Sequence, residues 1–234
     1  LAAYIIMAVV SYVLTAPIKD GRRTILHFAN IFVNTGYIGF PVLNAVYGPE
    51  AVAYGSIFNM LFVVLLWTYG IMIFKGRIAK KEIVREIIKA LLNPSLIAVY
   101  IGVTIMMAGF KLPEAVMSSL RAIGNMTGPL SMMIVGAMAS NVNIKLHLGD
   151  WTLYYGIIVK IIIIPAVLYS VSLLVSDRSI VLNSVIIIAS MPAAAMTSIF
   201  AEQFNLKKDY ATIILVATTL LSIFTLPLLL KIVA

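Results

Sequence analysis

An interruption inside an apolar run of helix length constrains this chain more than any other feature. The run breaks at residues 34–41, Asn-Thr-Gly-Tyr-Ile-Gly-Phe-Pro, with Asn30 before the break and Asn44 after it. A helix that crosses a membrane bonds its main-chain polar groups within itself, because the hydrocarbon offers no other partner. Glycines and a proline release some of these groups, which is tolerated only where protein or a water-filled cavity satisfies them. The interruption therefore predicts a binding site rather than a lipid-facing anchor.

A second interruption of the same kind lies near the other end of the chain. Residues 190–198, Ser-Met-Pro-Ala-Ala-Ala-Met-Thr-Ser, break the apolar run that begins at Ile180. Broken helices at matching positions of two halves are typical of secondary transporters, whose substrate sites lie between them. This pair is the main basis in the sequence for predicting transport.

Composition places the chain in a membrane. Of its 234 residues, 62% are hydrophobic and 11% are charged, whereas soluble chains carry about 25% charged residues. We therefore expect an all-α integral membrane protein. The formal charge of +8 could indicate nucleic acid, but the basic residues lie mostly in short loops between apolar runs, so no nucleic-acid partner is expected.

Hydropathy predicts eight spans, most of them near the ~20 residues that cross a bilayer. They are expected at residues 1–16, 24–46, 51–74, 94–110, 114–141, 151–175, 180–204 and 210–233. Twelve Lys and Arg residues fall in the loops on one side and three in the loops on the other. The positive-inside rule puts the rich side in the cytoplasm and both chain ends outside.

The spans also predict an inverted repeat. Residues 50–53 align with residues 209–212 at an offset of 209 − 50, or 159 residues, and this offset superposes the two interruptions. The two triplets of helices enter the membrane from opposite sides, as inverted repeats do. Two further helices precede the second triplet. The expected whole is ten helices in a 5+5 repeat, of which this chain holds 3+5, so that it looks like a fragment.

Five motifs along the chain resemble the auxin efflux carrier family, which includes plant auxin exporters and bacterial malonate and malate permeases. They lie in the family's order at residues 34–41, 93–97, 129–137, 160–165 and 191–205. The resemblance implies an elevator-type carrier in which the two broken helices cross at the substrate site. Plant members have a proline where this chain has Val33. Their long cytoplasmic loop is replaced here by a short linker. This resembles a prokaryotic member of the family, which is expected in the cell membrane.

The resemblance also divides the chain into four segments. Residues 1–74 are the transport-domain helices of the first repeat, and residues 75–92 form an amphipathic cytoplasmic linker. Residues 93–145 are the scaffold helices of the second repeat, and residues 146–234 are its transport-domain helices. A homodimer through the scaffold is a further expectation.

Polar residues at the first break are the leading candidates for substrate contact. The amides of Asn30 and Asn34 can donate to a carboxylate, and a buried amide in a membrane is costly unless it is paired. The alternative for Asn34 and for the adjacent Thr35 is that they cap the broken helix. Gly36, which also belongs to the candidate site, is with Gly39 and Pro41 expected to set the conformation of the break.

The second break supplies the opposite wall of the expected site. Met191, Pro192 and Ala193 are small or helix-breaking residues that allow a close crossing, and freed amides at a half-helix N-terminus attract anions. Thr197 and Ser198 follow within two turns. Their hydroxyls could instead bond to their own helix, which is the commoner arrangement.

Lys160 is a charged residue near the middle of its predicted span, where a Lys costs ~2.5–3.5 kcal/mol on insertion scales. Its partner could be Glu202, the free carbonyls at a helix C-terminus, or an anionic substrate. A desolvated Lys can also release its proton, which would make it a coupling group. A structural Lys bonded to a broken helix remains an equal alternative.

Asn59, Asn125 and Thr127 complete the candidate site as polar residues on neighbouring spans. His27 and His147 are expected at the membrane interface. A catalytic site needs clustered acids, bases or metal ligands. The spans offer none, so that no enzyme, cofactor or metal site is expected.

The predicted function is secondary active transport of a small organic anion such as a mono- or dicarboxylate. The driving force would be a proton or ion gradient or the membrane potential. The alternative is a non-transporting membrane sensor or assembly subunit in which the breaks are simple kinks.

Overall fold

The computed structural model describes residues 1–76, 84–85, 88, 91–92, 94–140, 142, 147–175 and 179–233. The first described helices are α1 (Ala2–Thr15), α2 (Gly21–Ile31), α3 (Phe40–Tyr47), α4 (Pro49–Leu65) and α5 (Ile71–Lys75). They are followed by α6 (Pro94–Met107), α7 (Glu114–Ser140), α8 (Trp151–Ile158), α9 (Ile164–Ser172), α10 (Ile180–Ala189), α11 (Met196–Gln203) and α12 (Lys208–Val233). Wide π-helical turns lie at Thr35–Gly39, Leu66–Gly70 and Val159–Ile163.

Three continuous helical stretches in the described ranges are long and apolar enough to cross a membrane, namely Pro49–Lys75, Trp151–Ser172 and Lys208–Val233. Two of the predicted spans are instead split. Span 24–46 consists of α2, an extended link, a π-turn and α3, and span 180–204 consists of α10, a link and α11. These helices agree with an all-α membrane protein. Most of the predicted linker at 75–92 falls outside the described residues.

Two of the π-turns come directly before a proline, which explains why the helix widens there. The N–H of Phe40 bonds to the carbonyl of Thr35, and the N–H of Ile164 bonds to the carbonyl of Val159, each five residues back. Pro41 and Pro165 follow. A proline ring clashes with the carbonyl four residues earlier and removes a donor, so that a locally wider turn relieves the conflict.

The half-helix α2 lies at the centre of the packing, against α1, α11, α12 and the Val159–Ile163 turn. On one face Phe28 contacts Phe32 and Phe200, with ring centroids 4.5 and 5.3 Å apart. On another face Leu26 lies so close to Gly156 that a Cβ there would be 2.2 Å from its Cδ2. A larger residue at this position would force Leu26 to shift, and glycine lets α8 pack closely against the broken helix.

Candidate functional site

The first helix break is an extended link at residues 32–34, between α2 and the π-turn. Phe32 is extended, with φ −94° and ψ 106°. Asn34, with φ −77° and ψ 72°, is the middle residue of an inverse γ-turn in which the N–H of Thr35 bonds to the carbonyl of Val33 at 2.8 Å.

The break therefore lies earlier than its predicted position. Gly36 and Gly39 belong to the π-turn that restarts the helix, and Pro41 is the second residue of α3. The extended residues are stable there because other elements satisfy their main-chain groups, and no glycine is needed for this. Gly36 is exposed, and a Cβ there would meet no atom within 4 Å.

The second break, at residues 190–195, pairs directly with the first. The N–H of Asn34 donates to the carbonyl of Pro192 at 2.8 Å, and the N–H of Ala194 donates to the carbonyl of Phe32 at 2.9 Å. Val33 thus faces Ala193 in a two-residue antiparallel bridge. The breaks cross at Asn34 and Pro192, where the sequence predicts it, and each break supplies the hydrogen bonds that the other has lost.

A hydroxyl from α12 satisfies another main-chain group at the crossing. The N–H of Ala193 donates to Oγ1 of Thr218 at 3.4 Å, and this hydroxyl donates to the carbonyl of Ile214 in its own helix at 2.8 Å. Thr218 is fully buried. Its role at the crossing was not predicted from the sequence. The signal that could have identified it is a polar residue inside a long apolar run.

Lys160 is one of the largest fully buried side chains and reaches the first break from the π-turn at Val159–Ile163. Its Nζ donates to the main-chain carbonyl of Asn30 at 3.0 Å. A continuous helix would give this carbonyl the N–H of Asn34, which bonds to Pro192 instead. Lys160 therefore occupies a carbonyl at the negative end of α2, where a cation is stabilised by the helix dipole.

Of the three partners considered for Lys160, the helix carbonyl is the one observed. Glu202 instead pairs with Lys208 at 3.2 Å, and both side chains are well exposed. No ion pair to Lys160 is found among the described residues.

The side chains of the first break are buried and only partly satisfied. Oδ1 of Asn34 accepts the N–H of Tyr37 at 3.2 Å and so caps the π-turn, which is the structural role considered for it. Its Nδ2 is buried without a partner. The hydroxyl of Thr35 makes only a 3.4 Å contact with the carbonyl of Val33.

Three buried oxygens near the crossing also have no partner in the described part of the chain. They are Oδ1 of Asn30, Oγ1 of Thr197 and Oγ of Ser198, and each of these residues is at most 1% exposed. Thr197 and Ser198 lie in the first turn of α11. Their hydroxyls do not bond to the main chain of their own helix, although this is the commoner arrangement. Buried polar atoms are almost always paired, and these unpaired atoms are concentrated on the two broken helices.

A chain of buried side chains leads away from Asn30. Its Nδ2 donates to Oγ of Ser11 at 3.0 Å, and Ser11 contacts Nδ1 of His27 at 2.9 Å. Nε2 of His27 contacts the hydroxyl of Tyr69 at 2.9 Å. His27, which was expected at the membrane interface, is covered by neighbouring elements of the fold. It is 8% exposed, because α1 and the Leu66–Gly70 turn cover it and supply both partners.

The remaining predicted residues are not equally close to the crossing. Asn59 is half-buried on α4, a helix that packs against the π-turn of the first break. Asn125 is exposed on α7, which packs against α12. Thr127 lies in the same helix, and its side chain is outside the described set. In the described ranges no cluster of three His, Asp or Glu side chains could hold a metal ion.

Comparison with known proteins identifies the family. A family model described as membrane transport protein matches residues 1–230 of the chain. The chain belongs to this family. The resemblance to the auxin efflux carriers is thereby confirmed.

Two archaeal relatives carry the same general description. An uncharacterized transporter of Methanocaldococcus jannaschii is 30% identical over 213 residues, which cover 86% of this chain and 66% of the relative. An uncharacterized transporter of Methanothermobacter thermautotrophicus is 24% identical over 214 residues, which cover 90% of this chain and 68% of the relative. The chain thus spans about two thirds of the length of these relatives. Family and relatives support a membrane transporter and not an enzyme.

Proposed function

We propose that the full-length protein is a secondary active carrier of a small organic anion such as a mono- or dicarboxylate. The observation that carries this proposal is the group of unpartnered polar atoms on the two broken helices, the first of which is also bonded by the buried Lys160. Nδ2 of Asn34 and the hydroxyls of Thr197 and Ser198 are donors that a carboxylate can use. Transport domains of this kind bind at the point where broken helices meet.

Electrostatics favour an anion over a neutral solute. The first turn of α11 contains Thr197 and Ser198, and a helix N-terminus presents partial positive charge to groups placed there. Lys160, when protonated, adds a positive charge that no acidic side chain compensates among the described residues. Its bond to the carbonyl of Asn30 supports a structural role as well, and the two roles are compatible.

The antiparallel bridge supports an inverted repeat. It pairs Val33 with Ala193, 193 − 33 or 160 residues apart, which is within one residue of the 159-residue offset found in the sequence. Its two hydrogen bonds exchange under a local two-fold axis, since Asn34 donates to Pro192 as Ala194 donates to Phe32. We propose that the two halves form the transport domain of an elevator-type carrier, with α6 and α7 in its scaffold.

The test is uptake by the full-length protein in proteoliposomes. Labelled malonate, malate and indole-acetate are supplied with and without a pH gradient, and at least one of them should accumulate. Asn34→Ala should lower uptake at least tenfold without preventing insertion, because one buried donor is lost while the apolar packing remains. Asn44→Ala is the matched control, since Asn44 is exposed on the same broken helix.

Two results would refute this proposal. Equal uptake by Asn34→Ala and Asn44→Ala would remove the crossing as the substrate site. If the protein binds an anion but transports none, either with or without a pH gradient, the alternative of a sensor or assembly subunit would be favoured.

A further inference from the structure

A buried chain of side chains joins His27 to the crossing. Four contacts of 2.9 to 3.0 Å connect Tyr69 to His27, His27 to Ser11, Ser11 to Asn30, and the carbonyl of Asn30 to Lys160. Ser11 and Asn30 are each at most 1% exposed. We propose that His27 is the proton-binding group that controls anion affinity, and that it acts through Ser11 on the side-chain amide of Asn30.

His27 lies beside a cavity at one end of this chain of contacts. It lines a cavity of about 450 Å³ together with Tyr12, Arg23, Thr24 and Tyr69. The cavity lies at the beginning of α2, where the α1–α2 loop carries Lys19 and the first turn of α2 carries Arg22 and Arg23. The positive-inside rule puts this loop in the cytoplasm. The proton therefore comes from cytoplasmic water and returns to it.

The hydrogen bonds determine the ring's neutral form. Nδ2 of Asn30 donates to Oγ of Ser11, so that the single hydroxyl proton of Ser11 is free to donate to Nδ1 of His27. A neutral imidazole has one donor and one acceptor nitrogen. Nδ1 is then the acceptor, and the N–H at Nε2 donates to the hydroxyl of Tyr69.

Protonation reverses the hydrogen bond to Ser11. When the ring takes one proton from water at Nδ1, it gains a positive charge and both nitrogens become donors. Oγ of Ser11 must now accept from His27, and its own proton has to turn elsewhere. The nearest unsatisfied acceptor in the chain of contacts is Oδ1 of Asn30, which is buried without a partner.

The side-chain amide of Asn30 can accept this hydrogen bond if it rotates by half a turn. After the turn, Oδ1 accepts a hydrogen bond from the hydroxyl of Ser11. Nδ2 then lies where Oδ1 lies when His27 is neutral. An acceptor four residues before Asn34 is thereby replaced by a donor, which favours a carboxylate. Because this step acts on the anion site, it rests on the proposed function, and it predicts that a proton and an anion bind together.

The groups that face His27 set the pH range of the switch. Arg23 lies one turn earlier on α2, and its guanidinium lies over the ring of Tyr12 at 4.9 Å. Tyr12 and Tyr69 face His27 edge-on, with ring centroids 6.2 and 6.1 Å away. Because protonation of His27 turns the Asn30 amide so that it presents a donor, anion affinity should rise as the cytoplasmic pH falls.

The first test is the pH dependence of KM for the transported anion in proteoliposomes. One coupled proton changes KM by up to about tenfold per pH unit. His27→Gln and Ser11→Ala should both lose this slope. Ser184→Ala is the matched control for Ser11→Ala and should keep it, because Ser184 is equally buried and bonds only to its own helix, at the carbonyl of Ile180. If Ser11→Ala does not accumulate, Ser11→Cys keeps the size of the side chain and replaces its hydroxyl by a weak donor.

The second test does not depend on transport. The sequence contains two histidines, so that His147→Asn leaves His27 as the one labelled ring for nitrogen NMR. We expect a neutral ring protonated at Nε2 at high pH and a doubly protonated ring at low pH, with an added anion raising the midpoint. A ring that stays neutral over the pH range in which KM changes, or a wild-type slope in Ser11→Ala, would overturn the inference. Loss of transport in Asn34→Ala together with a wild-type slope in His27→Gln would refute the inference alone and leave the proposed function standing.

Discussion

Replacement of Lys160 by Met separates stability from transport at the crossing. Met keeps the length of the side chain and removes the charge that bonds to the carbonyl of Asn30. The variant loses a charge-assisted hydrogen bond, about 1.5–3 kcal/mol, part of which is the interaction with the α2 dipole. It gains relief from burying a charge, about 2.5–3.5 kcal/mol on insertion scales.

These opposing contributions nearly offset each other. We therefore expect the free energy of unfolding of Lys160→Met to lie within about 1 kcal/mol of wild type. Transport should respond differently. If the ammonium attracts the anion, KM should rise at least tenfold, which corresponds to about 1.4 kcal/mol of lost binding free energy.

The assay combines unfolding in detergent with uptake in proteoliposomes on the same preparations. Lys231→Met is the control for a change of net charge, since Lys231 is exposed at the end of α12. Wild-type uptake by Lys160→Met would end the functional role of this residue and leave it as a partner of the broken helix. A loss of several kcal/mol of stability would instead show that the carbonyl of Asn30 has no other way to be satisfied.

Two further predictions concern the crossing and the topology. Thr218→Val should lower the free energy of unfolding by about 1 kcal/mol or more, because the N–H of Ala193 loses its acceptor. Thr212→Val should change it little, since the hydroxyl of Thr212 bonds only within its own helix. Equal unfolding midpoints in the two variants would contradict this prediction. In a chain without cysteines, a Cys at Lys207 should be labelled only from the cytoplasm and a Cys at Glu50 only from outside, and labelling of both from one side would refute the orientation.

The sequence predicts the places where helices break, because the cause is local. A proline among small residues and polar groups inside an apolar run conflict with a lipid-facing helix wherever the chain is placed. The crossing of residues 34 and 192 follows from that conflict together with the predicted repeat. The exact extended residues do not, since Phe32 and Val33 have side chains that suit either a helix or a strand, and the bridge to Ala193 decides between them.

The partners of the buried polar side chains could not be predicted in the same way. Lys160 has several chemically equivalent options, and the choice of the Asn30 carbonyl depends on how the Val159–Ile163 turn packs against α2. Ser11 is a small residue in an apolar helix and carries little hydropathic weight, yet its position opposite His27 makes it the centre of a buried network. Such pairings depend on tertiary contacts over many residues, which a single sequence does not specify.

The contacts of the crossing also indicate which helices should move together. The main-chain groups freed at the two breaks are satisfied by one another, by Lys160 from the turn before α9, and by Thr218 from α12. A second tie lies at the other end of α2, where Nε of Arg22 contacts Oδ2 of Asp150 at 2.8 Å. Separating any of these helices would leave buried polar groups without partners, at about 1–3 kcal/mol each. We therefore expect residues 1–74 and 146–234 to move as one body during transport, and a disulfide engineered between α2 and α8 should leave uptake intact, whereas one between α7 and α12 should block it.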